Sequence, residues 1–363
     1  MSFNNTEWKY TEAKDLKIND WFKLKLNQVC DSSPVKLEQF STKVFDSRTT
    51  VYSLPTEIDD EFAELLGLLL SDGTLRAQGF SLTKKHLETV QRFKYLCIKY
   101  FNCKDKPIKT LNVGGKDFYQ FEVNSRYIAH FLLEEWFPEL TSNRKDVPAL
   151  IQRSPLSSQL SFLKGLYEDG TVSIKGNTVD HIEFTNKSYD VCKFVQQVLL
   201  RIGIVTTLSS TAKNMSTLYI YGKYCSIFKD KICFINQFNK DRLESNTIIT
   251  TDSNSRVPVS NSLLSEWLEK GYITSSMYKD SLSRGYIGRD YVPEEHSALL
   301  DFYYIRIKDI VDRECESVCV EVPSCSNFIQ NGFVMSNSQG MTLQEAEINL
   351  SKTFEMGQGY VAI

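Results

Sequence analysis

Leu65-Leu66-Gly67-Leu68-Leu69-Leu70-Ser71-Asp72-Gly73 is echoed about a hundred residues later by Leu163-Lys164-Gly165-Leu166-Tyr167-Glu168-Asp169-Gly170. Each run is apolar, carries a glycine in its middle and ends in Asp-Gly. A helix that is apolar nearly all round needs a partner to cover it. A central glycine lets two backbones approach closely. The closing Asp-Gly places a carboxylate at the helix end, and glycine there can take a left-handed cap. One such run is a core helix with a glycine cap. Two of them side by side bring two carboxylates to one point, as a divalent-metal phosphodiesterase requires.

Similar text follows each run. Gly73-Thr74-Leu75 and Gly170-Thr171-Val172 lead into strand-like stretches. Ser81-Leu82-Thr83-Lys84-Lys85-His86 and Glu183-Phe184-Thr185-Asn186-Lys187-Ser188 then open amphipathic helices expected at 85–101 and 188–202. Two short β-rich stretches come next in both copies. A repeat of this length predicts a duplicated αββαββ-type unit.

These residues resemble the two motifs of the LAGLIDADG homing endonucleases. The resemblance implies an α+β fold: a pseudo-twofold αββαββα endonuclease over 58–248, with repeats at about 58–150 and 151–248. It implies double-stranded DNA as partner and Mg2+ as cofactor, with Asp72 and Asp169 as catalytic metal ligands. The second motif departs from the pattern. Gly67 to Asp72 is five steps, but Gly165 to Asp169 is four. One missing residue turns a helix face by about 100°. Asp169 keeps its place before the glycine and takes the metal role, with Glu168 as the alternative. The family also carries a lysine in a Lys-x-apolar-Pro segment, matched by Lys145-Asp146-Val147-Pro148. There Lys145 would stabilise phosphorane charge or activate water; a surface lysine before a turn proline is the other reading.

The net charge of −3 argues nothing for nucleic acid by itself. Window 76–126, however, holds eleven Lys/Arg against four Asp/Glu, and window 171–247 ten against six. Both are rich in Tyr, Phe, Asn and Gln, which suits strands laid in a major groove; a solvated sheet face has similar composition. Lys84, Lys85 and Lys187, where the amphipathic helices open, are the candidate DNA contacts.

Near the C-terminus, apolar residues flank Asn331-Gly332, predicting a hairpin. Residues 317–338 resemble the last two motifs of inteins. In that resemblance Asn337 cyclises and cuts the Asn337–Ser338 bond, and Ser338 is the acceptor nucleophile. Ser336 and Ser326 stand where inteins usually have histidines. Cys319 stands at the usual aspartate and is a candidate nucleophile or a buried structural thiol. Residues 338–363 resemble a motif of superfamily-one DNA helicases of the RecD/Pif type, so they read as a C-extein. Trp8 to Trp21 resembles a turn of the splicing (Hint) domain, with Asn19 replacing a glycine of positive φ. The two splicing motifs expected before that turn are missing, which implies a truncated intein or one needing an N-terminal intein fragment as partner.

The expected organisation is therefore nested. Residues 1–57 and 301–337 would form a partial all-β splicing domain around the endonuclease, 249–300 a linker with an accessory helical segment (263–283 helical), and 338–363 the extein. The 42% apolar content suffices for buried cores. Nine cysteines without a CxxC pair argue against zinc and for reduced thiols in an intracellular compartment. No run is long enough to span a membrane. The expected function is a metal-dependent double-strand cut in DNA, the uninterrupted helicase gene being the target. The alternatives are a splicing element whose nuclease only binds DNA, and a DNA-binding module without catalysis.

Overall fold

The computed structural model describes residues 2–3, 8–28, 33–38, 40, 50, 52–137, 146–210, 215–250, 255–311 and 327–336. The chain divides into two compact units, one from 1–28, 200–203 and 251–363, the other from 29–199 and 204–250.

The first unit begins with β1 (Ser2–Phe3), β2 (Trp8–Lys9) and β3 (Trp21–Lys25). Asn19 has φ 75° in the turn before β3, as its substitution for glycine predicts.

The second unit holds the duplication. Its first copy runs α1 (Asp60–Asp72), β4 (Gly73–Arg76), β5 (Gly79–Lys84), α2 (Leu87–Phe101), β6 (Lys109–Val113), β7 (Lys116–Val123) and α3 (Arg126–Phe131). After α4 (Ala149–Arg153), the second copy runs α5 (Leu156–Leu166), β8 (Thr171–Lys175), β9 (Thr178–Asn186), α6 (Tyr189–Arg201), β10 (Thr206–Ser210), β11 (Ser216–Tyr221) and α7 (Tyr224–Lys231). The sequence thus yields αββαββα twice. The sheet orders match, β4-β5-β7-β6 and β8-β9-β11-β10; α8 (Gln237–Glu244) is followed by β12 (Thr247–Ile248), which adds in parallel to β9.

Alternation in the strands decides which face is covered. Phe80 and Leu82 of β5 pair with Val123 and Phe121 of β7, and all four are buried. Ile182 and Phe184 of β9 pair with Ile220 and Leu218 of β11 in the same way. Both sheets therefore keep one apolar face and one polar face.

α1 and α5 pack against each other as the glycines predict. A Cβ on Gly67 would lie 2.1 Å from the Phe162 carbonyl oxygen, and one on Gly165 would lie 2.3 Å from that of Glu64. Neither obstacle is a side chain that could move aside. The apolar description of α1 overlooked Glu64, which is buried within the helix. Arg92 of α2 compensates it with two bonds, at 2.7 and 3.0 Å.

The expected left-handed caps are not formed. Gly73 has φ −65° and ψ 141°, and Gly170 has φ −86° and ψ 167°. The chain passes from each motif straight into an extended strand. Glycine is needed for space instead, because a Cβ on Gly73 would meet the Leu69 carbonyl oxygen at 2.4 Å.

The rest of the first unit comprises β13 (Arg256–Val257), α9 (Asn261–Glu269), α10 (Ser275–Arg284), β14 (Ile287–Gly288), β15 (Phe302–Arg306), β16 (Asn327–Gln330) and β17 (Phe333–Ser336). β3 lies between β1 and β17, and β15 also pairs with it, so strands from 2–25 and from 302–336 share one sheet. The hairpin at Asn331-Gly332 has φ 52° and 84°, the two positive values of a tight two-residue turn.

Three expectations are corrected here. The described residues 33–38 and 52–57 group with the duplicated unit rather than with 8–28. The segment 249–300 is more than linker and accessory. Val257, Val259, Leu264, Trp267, Ile273 and Ile287 form one core with Trp21 and Tyr304, so this unit is not all-β. The single helix expected over 263–283 is two, broken at Gly271 (φ 73°) and restarted by Thr274, whose hydroxyl accepts from the Met277 N–H. Among the described residues no helix is long and apolar enough to cross a membrane.

Gly67→Ala should destabilise the chain by about 3 kcal/mol, because backbone rather than a side chain must move. Chemical denaturation checks this against Gln91→Ala, an exposed change on α2 expected to stay within about 0.5 kcal/mol.

Candidate metal and nucleic-acid site

The paired helices deliver Asp72 and Asp169 to one place. Lys84 Nζ lies 2.7 Å from Asp72 Oδ2 and 2.5 Å from Asp169 Oδ1. It also donates to the Glu168 carbonyl oxygen at 3.2 Å. Three oxygens from two repeats thus surround one cation position.

The missing residue of the second motif is absorbed locally. α5 ends at Leu166, and Tyr167–Asp169 continues as a 3-10 turn. That turn is tighter and longer per residue than α-helix. Over three residues it gains about 1.5 Å of rise and about 60° of rotation. The rise equals that of the lost residue, and the rotation recovers more than half of the deficit. Tyr167 anchors the turn, fully buried against Phe184 and Phe228.

Glu168, the alternative metal ligand, is committed elsewhere. Its Oε1 accepts from the N–H groups of Ile235 and Asn236 at 2.7 and 3.3 Å, and from Asn236 Nδ2 at 3.2 Å. Its Oε2 accepts from Thr89 Oγ1 at 2.5 Å and from Asn236 Nδ2 at 3.2 Å. Glu168 therefore ties the start of α2 to the start of α8. Sequence reasoning missed this role, although Asn236-Gln237 opening a helix was a signal for it.

Lys84 differs from its expected place as a surface DNA contact. Alternation along β5 puts it on the covered face with Phe80 and Leu82, and its side chain is 9% exposed. Asp72 is 54% exposed and Asp169 20%, so the site opens on the Asp72 side. Burial by itself would lower the Lys84 pKa. Asp169 and Asp72 outweigh it, and the ammonium sits above its ordinary value. Lys85 and Lys187 are exposed at equivalent strand-to-helix joints of the two repeats.

Hard oxygen donors around a cation are what Mg2+ selects, and Mg2+ characteristically takes only one or two carboxylates, leaving its other positions to water and phosphate. The residues fit such an ion at the position that the ammonium marks. Among the described residues no cluster of three or more His, Cys, Asp or Glu side chains offers a closed metal cage.

The polar sheet faces flank this centre unevenly. The first shows exposed Arg76 and Lys109, with Gln120 donating to Thr83 Oγ1 at 3.0 Å. On the second, His181 lies against Tyr219 and Tyr221, with Asp180 at 2.8 Å and Glu183 at 3.7 Å. Of the remaining expected positions, Lys145, Cys319, Asn337 and Ser338 lie outside the described residues, and of Ser336 only the backbone, at the end of β17, is described.

Residues 157–233 match the family model of the LAGLIDADG-like domain. The chain is 24% identical over 132 residues to homing endonuclease I-ApeI of Aeropyrum pernix, a match covering 35% of this chain and 57% of that protein. It is 81% identical over 26 residues to the ATP-dependent DNA helicase Pif1 of a Psychrobacter species, covering 7% of this chain and 4% of the helicase. Among solved structures it is similar to I-DmoI in complex with DNA and Mn, at 21% identity and a TM-score of 0.34, covering 47% of this chain and 94% of that one. The chain thus spans less than two thirds of either curated relative. Residues 157–233 thus carry a LAGLIDADG-like domain, within a mixed α/β fold.

Glu168→Gln should lower stability by about 2 kcal/mol, since a charged acceptor of five hydrogen bonds becomes neutral. Divalent-metal affinity should be unchanged. Denaturation and calorimetric Mg2+ titration of the same variant check the two halves.

Proposed function

We propose that the duplicated unit is a DNA endonuclease that hydrolyses both strands of a duplex in a metal-dependent reaction. The observation that carries this reading is the convergence of Asp72 and Asp169, one from each repeat, on a single cation position. Duplex DNA lies along the two polar sheet faces, where Arg76, Lys85, Lys109 and Lys187 meet phosphates and the tyrosines and amides meet base edges. Asp72 and Asp169 would hold Mg2+, which would supply charge neutralisation at the scissile phosphate and activation of water for attack. The helix contact fixes the two carboxylates against each other, so they need not reorganise during the reaction. The 20% exposure of Asp169 limits bulk water on its side, which strengthens the field at the phosphate. Lys145 is proposed, from its motif alone, as an added cation for the phosphorane.

We place this endonuclease within an intein. The reading is supported by the sheet that strands from 2–25 and 302–336 share, the Asn19 turn and the Asn331-Gly332 hairpin. A 26-residue helicase match, the length of segment 338–363, supports a helicase extein. Asn337 then cleaves its own peptide bond by cyclisation, Ser338 is the acceptor, and Cys319 and Ser336 neighbour them in the motif. The uninterrupted helicase gene is the proposed target.

Incubation of the full chain with that duplex and Mg2+ should give two fragments cut in both strands, and none with chelator. Asp72→Asn and Asp169→Asn should each slow cleavage about a thousandfold. Metal-independent cutting, or variants as fast as the native chain, would refute the proposal. A Mg2+-dependent nick in one strand only would restrict it to a nickase.

Binding should also be salt-dependent. Replacing both Arg76 and Lys109 with Ala should flatten the slope of log affinity against log salt by about 1.8, two phosphate contacts at about 0.9 each. Fluorescence anisotropy across a salt series reads that slope.

A further inference from the structure

Lys84 stands at the position where the endonuclease reading puts the metal. It cannot coexist with a metal where it stands. A divalent ion needs the carboxylate oxygens at about 2.0–2.1 Å, and the ammonium already contacts those same oxygens at 2.5 and 2.7 Å. Two cations sharing one buried position repel strongly.

The arrangement is also one-sided. Ser81 to His86 aligns with Glu183 to Ser188, so the counterpart of Lys84 in the second repeat is Asn186. Asn186 is buried, neutral and turned onto its own loop, where its Oδ1 accepts from the Ser188 N–H at 2.9 Å. Lys84 thus reaches both carboxylates from the first repeat, and the second repeat places no ammonium at the matching position. A lysine has a flexible four-carbon stem and three rotatable donors, so its head can move several ångströms while the strand stays fixed.

We propose that Lys84 is a built-in counter-cation that holds the Asp72–Asp169 pair closed in the DNA-free protein and passes to a DNA phosphate when duplex binds, which makes metal and DNA bind cooperatively. This rests on the endonuclease reading. Duplex brings phosphate beside the carboxylates, the ammonium follows the new negative charge, and the vacated position accepts Mg2+. By linkage, DNA must tighten metal binding by the factor by which metal tightens DNA binding. Free metal then does not fill the site wastefully, and the site becomes competent only on DNA.

The test is a calorimetric titration of Mg2+ into the full chain without DNA, for the native protein, Lys84→Met and Lys84→Gln. Both variants should bind Mg2+ at least ten times more tightly than the native chain, within the usual range of about 5–150-fold for coupled sites. Gln keeps a hydrogen-bond donor for the carboxylates, so a failure of Met to fold does not end the experiment. Melting curves give an independent reading, since Mg2+ should raise the melting temperature of the variants more than that of the native chain. With duplex and Ca2+, DNA should tighten metal binding in the native chain at least fivefold and in the variants by less than twofold. Equal Mg2+ affinity in native chain and variants overturns the proposal and leaves the endonuclease reading standing. No Mg2+ binding by either variant, with Asp72 and Asp169 intact, overturns both and makes Lys84 a structural latch.

Discussion

The structure depends on the backbone contact between α1 and α5. Gly67 and Gly165 face carbonyl oxygens of the opposite helix at distances that no Cβ would tolerate. That approach sets everything else. It buries the leucines of both motifs, positions one sheet on each copy, and carries two carboxylates to the same end of the helix pair. A duplicated fold with its charges at the seam is a direct consequence of two small residues in two apolar helices.

Acidic groups at such a seam need compensation, and each is handled differently. Glu64, inside α1, is held by Arg92. Glu168 is spent on the backbone at 235–236. Asp72 and Asp169 both contact the Lys84 ammonium, and Asp72 is half-exposed to solvent. Burying Glu168 in hydrogen bonds thus does more than stabilise α8. It also keeps a third carboxylate away from the position that the Lys84 ammonium occupies between Asp72 and Asp169.

The duplication, the helix contact and the positions of Asp72 and Asp169 were legible in the sequence because repetition, small residues and Asp-Gly endings are local signals. The turn at Asn19 and the hairpin at Asn331-Gly332 were legible for the same reason: each needs positive φ and names it by residue type. Lys84 was not. In sequence it reads as one of a basic pair, and only strand alternation at the end of β5 shows that Lys84 turns inward while Lys85 stays out. The role of Glu168 was hidden because its partners lie 67 and 68 residues away. The one-residue deletion looked disruptive under ideal helix geometry, but a tighter last turn repairs it. The core of 255–304 was missed because short apolar pieces around Trp267 carry no period long enough to announce a fold.

The central claim is that Asp72 and Asp169 act as one site. Electron paramagnetic resonance of Mn2+ bound to the full chain with duplex present tests it most directly. If the carboxylates share the ion, Asp72→Asn or Asp169→Asn alone should weaken binding nearly as much as both together. If each replacement removes its own independent share of bound Mn2+ and the double variant loses their sum, the two carboxylates serve separate sites and the account is contradicted.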